Sequence, residues 1–198
     1  MRIGRWIAAG TGIALVGAAA VYAQYRNTEE PEFTLVRAEG DFELRDYPSL
    51  VVAEVTSSGD RQRASGASFR RLAAYIFAQD RPQGGESIAM TAPVIQQETD
   101  QGAWQMRFVM PAKYTLETLP PAPADIALTE VPARRMAAIR FAGNGSAGDL
   151  AAHEASLREW LAGQGIAPVG EAEYAFYDAP MVPGPLRRNE VLIPVAAD

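Results

Sequence analysis

Apolar and polar residues alternate in nine short stretches of the chain, at residues 33–37, 42–46, 50–56, 88–96, 104–110, 126–130, 136–141, 174–179 and 191–195. Successive strand side chains point to opposite faces, so each stretch predicts a β-strand with a face toward a core. Two longer stretches follow the helical period instead. Over 63–79, Phe69, Leu72, Ala73 and Ile76 fall at i, i+3, i+4 and i+7, one apolar stripe suited to lying on a sheet. Over 148–162, Leu150, His153, Leu157, Trp160 and Leu161 form a second stripe, which Gly163 and Gly165 end.

The order of these elements repeats. FELRDYPSLVVAEVTSSG leads into the first helix and IAMTAPVI follows it, while IALTEVPARRMAAIRFAG leads into the second and YAFYDAPMV follows. Pro48 and Pro132 stand 84 residues apart, as do Gly59 and Gly143, and Pro93 and Pro180 stand 87 apart. Because proline removes a ladder donor, the two Ala-Pro pairs read as a strand break at the same place in both halves. The period is too long for a solenoid. Two similar β-α-β halves are therefore expected to close on each other into one sheet or barrel, with both helices packed against it.

Ahead of the first strand, Arg2 and Arg5 precede a run without charge from Trp6 to Ala23, and Val21 and Ala23 are placed as the small residues of a cleavage site before Gln24. Residues 1–24 read as a secretory signal or, if uncleaved, as a membrane anchor, since the run is nearly long enough to cross a bilayer. In both readings the arginines hold that end in the cytoplasm, so the rest of the chain is expected outside it, in a periplasm, soluble or anchored to the inner membrane. Residues 25–32 read as a polar tether and 33–196 as the folded domain.

Composition narrows the choice of partner. A formal net charge of −6 offers no basic surface for a phosphate backbone, so nucleic acid is not an expected partner. The chain has no cysteine, one histidine and a single lysine, Lys113. With no cysteine and its one histidine in mid-helix, the sequence shows no sign of a Ser-His-Asp or Cys-His arrangement, of a metal-ligand cluster or of a G-x-S-x-G turn, and no enzymatic activity is expected. One motif points elsewhere. GNGSAG, from Gly143 to Gly148, matches G-x-G-x-x-G between a predicted strand and a helix, with Glu171 and Glu173 where a ribose-binding acid would stand. It makes a dinucleotide-dependent oxidoreductase a remote alternative. Otherwise Glu171 and Glu173 read as a solvated surface pair.

ELRDY, ESIAMTAPV, the FVMP strand end, LPPAP and YDAPMVPGPLRRNEVLIPV together resemble the SOUL haem-binding protein family, over residues 33–195. The resemblance implies an α+β fold, a distorted antiparallel β-barrel of two similar halves flanked by two helices. It also implies reversible binding of haem or a related tetrapyrrole, in a shallow apolar groove beside the first helix, for transport, buffering or delivery. The family's ligand sets do not carry over. Asp46 stands where one branch has an axial histidine, Gly66, Phe69 and Ala73 stand where another has an arginine and methionines, and Val182 replaces a loop lysine.

A tetrapyrrole is a flat apolar plate with two carboxylates, and it needs apolar walls with cations at one edge. Phe69, Ala73, Ile76, Met90 and Met181 are the expected walls, and Arg187 and Arg188 the expected carboxylate partners. The two arginines could equally bond loop carbonyls. His153 is the histidine available to iron, although its place in an apolar stripe suits a packing role, and Tyr75, Tyr174 and Tyr177 could ligate ferric iron or simply pack. A module that binds a partner protein or a lipid in the same groove would share all of these features except iron.

Overall fold

The structure, a computed structural model, describes residues 28–81 and 83–197. The expected signal or anchor at 1–24 lies outside the described residues. Strands β1 (Thr34–Glu39), β2 (Phe42–Tyr47) and β3 (Leu50–Ser57) lead to helix α1 (Arg61–Ile76), followed by β4 (Val94–Glu98) and β5 (Trp104–Val109). The second half runs through β6 (Ala127–Val131), β7 (Arg134–Ala142), helix α2 (Ala147–Gly163), β8 (Glu173–Phe176) and β9 (Arg188–Val195). The fold is α+β. Its single sheet has the order β1-β2-β7-β9-β8-β4-β5-β3-β6, every strand pair is antiparallel, and the sheet curls into a half-barrel.

The repeat is realised by an exchange. β2 pairs with β7 of the second half, and β6 pairs with β3 of the first, with Tyr47 opposite Arg134 and Leu50 opposite Val131. The halves meet where β4 pairs with β8, Val94 opposite Phe176 and Gln97 opposite Glu173. This pairing corrects the reading of the two Ala-Pro pairs. Pro93 precedes β4, whereas Pro180 follows β8, so the two prolines are not equivalent. A proline ends a ladder equally well on either side, which is why the motif misaligned them. For the same reason the strand expected over 88–96 forms only from Val94.

Each helix starts on a side-chain cap. Asp60 accepts from the N–H of Arg63, and Ser146 and Asp149 form a reciprocal capping box. Strand alternation then divides the sheet into two buried faces. On one, Ala137, Ile139, Val191 and Ile193 pack against Leu150, Leu157 and Leu161 of α2, while Ala53, Val55, Met106 and Phe108 pack against Leu72, Tyr75 and Ile76 of α1. The opposite face curls onto itself and carries smaller apolar clusters around Met136, Ala138, Ala175 and Leu192 and around Val52, Ile95 and Val109.

Charges are buried among those clusters. Arg45, 1% exposed, donates through Nη1 and Nη2 to Glu190 at 2.7 and 2.9 Å and through Nε to Glu43 at 2.6 Å. Tyr177 donates its hydroxyl to Glu190 at 2.7 Å, and Arg140 reaches the same carboxylate at 3.2 Å. A second buried carboxylate, Glu173, accepts from Arg134 at 2.7 and 2.8 Å and from Arg107 at 3.2 Å. Glu173 is thus an internal acid, and the surface pair expected of Glu171 and Glu173 is not formed. The period-two pattern places Glu173 on the interior face, but its burial there depends on Arg107 and Arg134 from two distant strands.

Burial alone would raise the Glu190 carboxyl, but the hydrogen bonds and charge of Arg45 outweigh it and hold the group below its ordinary value of 4.5. The folded value is the lower one, so the stabilisation is present above pH 4.5 and is lost as the pH falls through the folded value. Replacing Glu190 by Gln leaves Arg45 short of its main counter-ion. Urea unfolding at pH 7 should show a loss of about 3–5 kcal/mol, and the variant should lose less further stability on acidification than the native chain. Equal stability of the two proteins at pH 7 would show that the pair does not hold the fold.

Candidate functional site

Helix α1 leaves one edge uncovered. Leu72 and Ile76 turn into the core, whereas Phe69, Ala73 and the C-cap residue Phe77 recur every four residues along the neighbouring edge. Phe69 is 41% exposed and Phe77 45% exposed, and Ala73 between them is half-buried. The Phe69 ring rests edge-on against Phe108 of β5 at 5.4 Å, so the sheet fixes its angle. Met90 is half-buried against the same core cluster. Ile76 is fully buried, so it backs this shelf and does not line it.

The corresponding edge of α2 is polar. Leu157 and Leu161 fill the second core as Leu72 and Ile76 fill the first, but the positions matching Phe69 and Ala73 are Glu154 and Arg158. Those two form an ion pair at 2.8 Å, and Tyr174 donates its hydroxyl to Glu154 at 2.7 Å. Of the two helix edges, the apolar one belongs to the first half.

The expected cations do not converge on the shelf. Arg187 donates Nε to the carbonyl of Val182 at 2.6 Å and Nη2 to that of Pro180, the loop-bracing alternative weighed for it. Arg188 pairs with Glu30, lies 3.8 Å over the Tyr177 ring, and its backbone N–H donates to Asp178. Met181, on the same loop, is 69% exposed. A different arginine meets the shelf. Arg70 is exposed, and its Nη1 lies 3.6 Å from where a Cβ on Gly66 would stand, so its guanidinium folds back along α1 beside the stripe. It makes no ion pair among the described residues.

Nor does a preassembled iron ligand emerge. His153 stacks on Phe141 at 3.9 Å, and its Nδ1 donates to the carbonyl of Asp149 at 2.7 Å, on the helix of the other half. Tyr75 donates to the carbonyl of Pro120 at 2.7 Å, so all three candidate tyrosines are packing residues with bonded hydroxyls. Asp46 is held by Arg135 at 2.8 and 3.0 Å, and those hydrogen bonds lower its carboxyl below its ordinary value. Among the described residues no three His, Asp or Glu side chains are grouped as metal ligands.

Two concavities lie elsewhere. One, of about 300 Å³, is lined by Glu98, Asp100, Glu154, Glu171 and Tyr174, and its charge is wrong for a dicarboxylate. The other, on the curled face between Tyr47, Ile95, Met136, Tyr177 and Leu192, measures about 30 Å³, far below the roughly 300 Å³ at which ligand pockets begin. Residues 143–148 are a link and not a nucleotide site. β7 is antiparallel to both neighbours, and the carbonyls of Gly143 and Gly145 are taken by Asn189 and Arg61. The capping box occupies the helix start. The dinucleotide reading falls with the parallel strands it required.

A family model described as SOUL heme-binding protein matches residues 28–194. The chain belongs to the SOUL haem-binding protein family. No match is found among curated proteins. Solved structures share the SOUL fold at low identity. The C-terminal domain of EcmrR superimposes with a TM-score of 0.61 at 11% identity, over 79% of this chain and 98% of that one. A protein from Listeria innocua described as a hydrolase gives 0.56 at 12% identity, over 81% of this chain and 94% of that one. Similarity at this level is of fold alone.

His153 supplies the test of where the site is not. With its ring on Phe141 and its Nδ1 on a backbone carbonyl, His153→Ala should cost about 1–2 kcal/mol of stability in urea unfolding. Haem affinity should stay within twofold. Loss of haem binding with native stability would instead make His153 an iron ligand.

Proposed function

We propose that the shelf on α1 binds haem or a related tetrapyrrole reversibly, and that the domain stores, carries or hands on this ligand without turning it over. The observation that carries the reading is the apolar edge Phe69-Ala73-Phe77 with Arg70 beside it, within a chain of a haem-binding family. An apolar plate laid on Phe69, Ala73, Phe77 and Met90 gains by leaving water at about 25 cal/mol per Å². Arg70 is free to meet a ligand carboxylate at the plate's edge, a charge-assisted contact that the loop arginines are too committed to make. Among the described residues no three His, Asp or Glu side chains are grouped as metal ligands, so the reading rests on burial of the plate and on its carboxylates. Two of its members, Phe69 and Phe77, are 41% and 45% exposed, which suits exchange better than permanent retention.

We further propose that this takes place outside the cytoplasm. The support is sequence alone: Arg2 and Arg5 before the uncharged run from Trp6 to Ala23. No helix among the described residues is long and apolar enough to cross a membrane.

Titration with haem, protoporphyrin and protoporphyrin dimethyl ester, followed by tryptophan quenching, tests the site. Haem and protoporphyrin should bind within about tenfold of each other, or roughly 1.4 kcal/mol, because burial of the plate dominates. Phe69→Ala should weaken both by about tenfold or more. Arg70→Gln should weaken the diacid about three- to tenfold and leave the ester unchanged. Unaltered binding in Phe69→Ala would place the ligand elsewhere on the fold.

A further inference from the structure

We infer that the loop from Pro180 to Leu186 is a membrane-contacting lip, which rests on a bilayer surface and holds the domain against it. This rests on the uncleaved-anchor reading of residues 1–24, within the proposed location outside the cytoplasm. The observations that locate the contact are independent of haem.

The chain leaves its apolar run at a fixed point of the domain. Only Gln24 to Thr28 separate that run from Glu29, a span of at most about 18 Å when fully extended. Glu29 is docked. It bridges Thr91, its carbonyl accepts from the N–H of Ala92 at 2.9 Å, and its Oε1 accepts from the N–H of Ala112 at 2.6 Å. Glu30 is paired with Arg188. The segment read as a tether is therefore attached to the domain within a few residues of the apolar run, and one of its contacts, Glu30 with Arg188, lies just after the Pro180–Leu186 loop.

That loop presents what an interface takes. Met181 is 69% exposed and Leu186 is 56% exposed, two large apolar side chains on a seven-residue loop. Single exposed apolar residues are ordinary, but two on one short loop next to the Glu30–Arg188 contact set this segment apart. The loop is also braced. Pro180, Pro183 and Pro185 restrict its backbone, Arg187 donates to the carbonyls of Pro180 and Val182, and the N–H of Leu186 donates to the carbonyl of Pro183. A braced loop loses little conformational freedom when its two apolar tips enter the interfacial layer. The partner surface is a lipid one because only five residues separate an 18-residue uncharged run from the docked Glu29 in the sequence.

The absence of native cysteine makes the test direct, since a single introduced thiol is the only labelling site. The full chain would be reconstituted into phosphatidylcholine–phosphatidylglycerol vesicles with an environment-sensitive fluorophore on Met181→Cys, Leu186→Cys or, as control, Val169→Cys, whose residue is 63% exposed on the link between α2 and β8. In the floated fraction, labels at 181 and 186 should be blue-shifted and quenched at least threefold more by headgroup-level spin-labelled lipid than the label at 169. Labels at 181 and 186 as aqueous as that at 169, in protein that floats, would overturn the lip alone. Protein that does not float would overturn the lip together with the membrane reading beneath it. Haem binding measured on the same samples bears on neither outcome.

Discussion

A guanidinium taken almost wholly out of water must be met by charge on every accessible side, and the arrangement around Arg45 follows from that demand. Its main counter-ion, Glu190, stands on β9 with β7 between them. The pair forms with β2 laid against β7 of the other half, so the buried charges and the exchange of first strands are met in one arrangement. Once β2 is there, Leu44 on its opposite face completes the cluster under α2. Tyr47 and Tyr177 then flank the charge. Burial raises the Tyr177 phenol well above its ordinary value, with the nearby Glu190 adding to it, so this residue acts as a neutral donor.

The sheet has two buried faces, and they were unequally legible in the sequence. The helix-facing residues announced themselves, because Val191, Ile193 and Val195 or Ala53 and Val55 keep a period of two, and Leu72 with Ile76 keep the helical one. Among the described residues nine strands and two helices stand where the patterns placed them, although β1 is exposed along its whole length and turns no face to a core. The curled face carries Arg45, Glu173 and Glu190, and arginine or glutamate at alternating positions looks the same whether solvent or a distant strand lies opposite. Only the three-dimensional pairing distinguishes them. Glu173 was misread for this reason.

The same limit applied to the candidate site. Phe69 and Ala73 were visible because an apolar stripe wider than one core can absorb has to emerge somewhere. The helix expected over 63–79 ends at Ile76, so Phe77 is its cap, and Ile76 turned inward by one helical step. Arg70 was indistinguishable from Arg63 and Arg71 until partners were known: Arg63 bonds its own cap residue, Arg71 bonds Asp80 and Asp125, and Arg70 bonds neither. A free cation is a property of what surrounds it. Arg187 and Arg188 show the converse, since their prominence in the sequence reflects bracing of a loop and docking of the chain's approach.

The strand exchange has a further consequence for how the chain holds together. Residues 110–126 are the covalent link between the halves, yet β2 and β6 have each crossed to the other side. Cutting that link would not yield two modules. Each fragment would still wear a strand of the other, and the nicked protein would travel through gel filtration as one particle, coming apart only in denaturant. The duplicated parts behave less like beads on a string than like clasped hands.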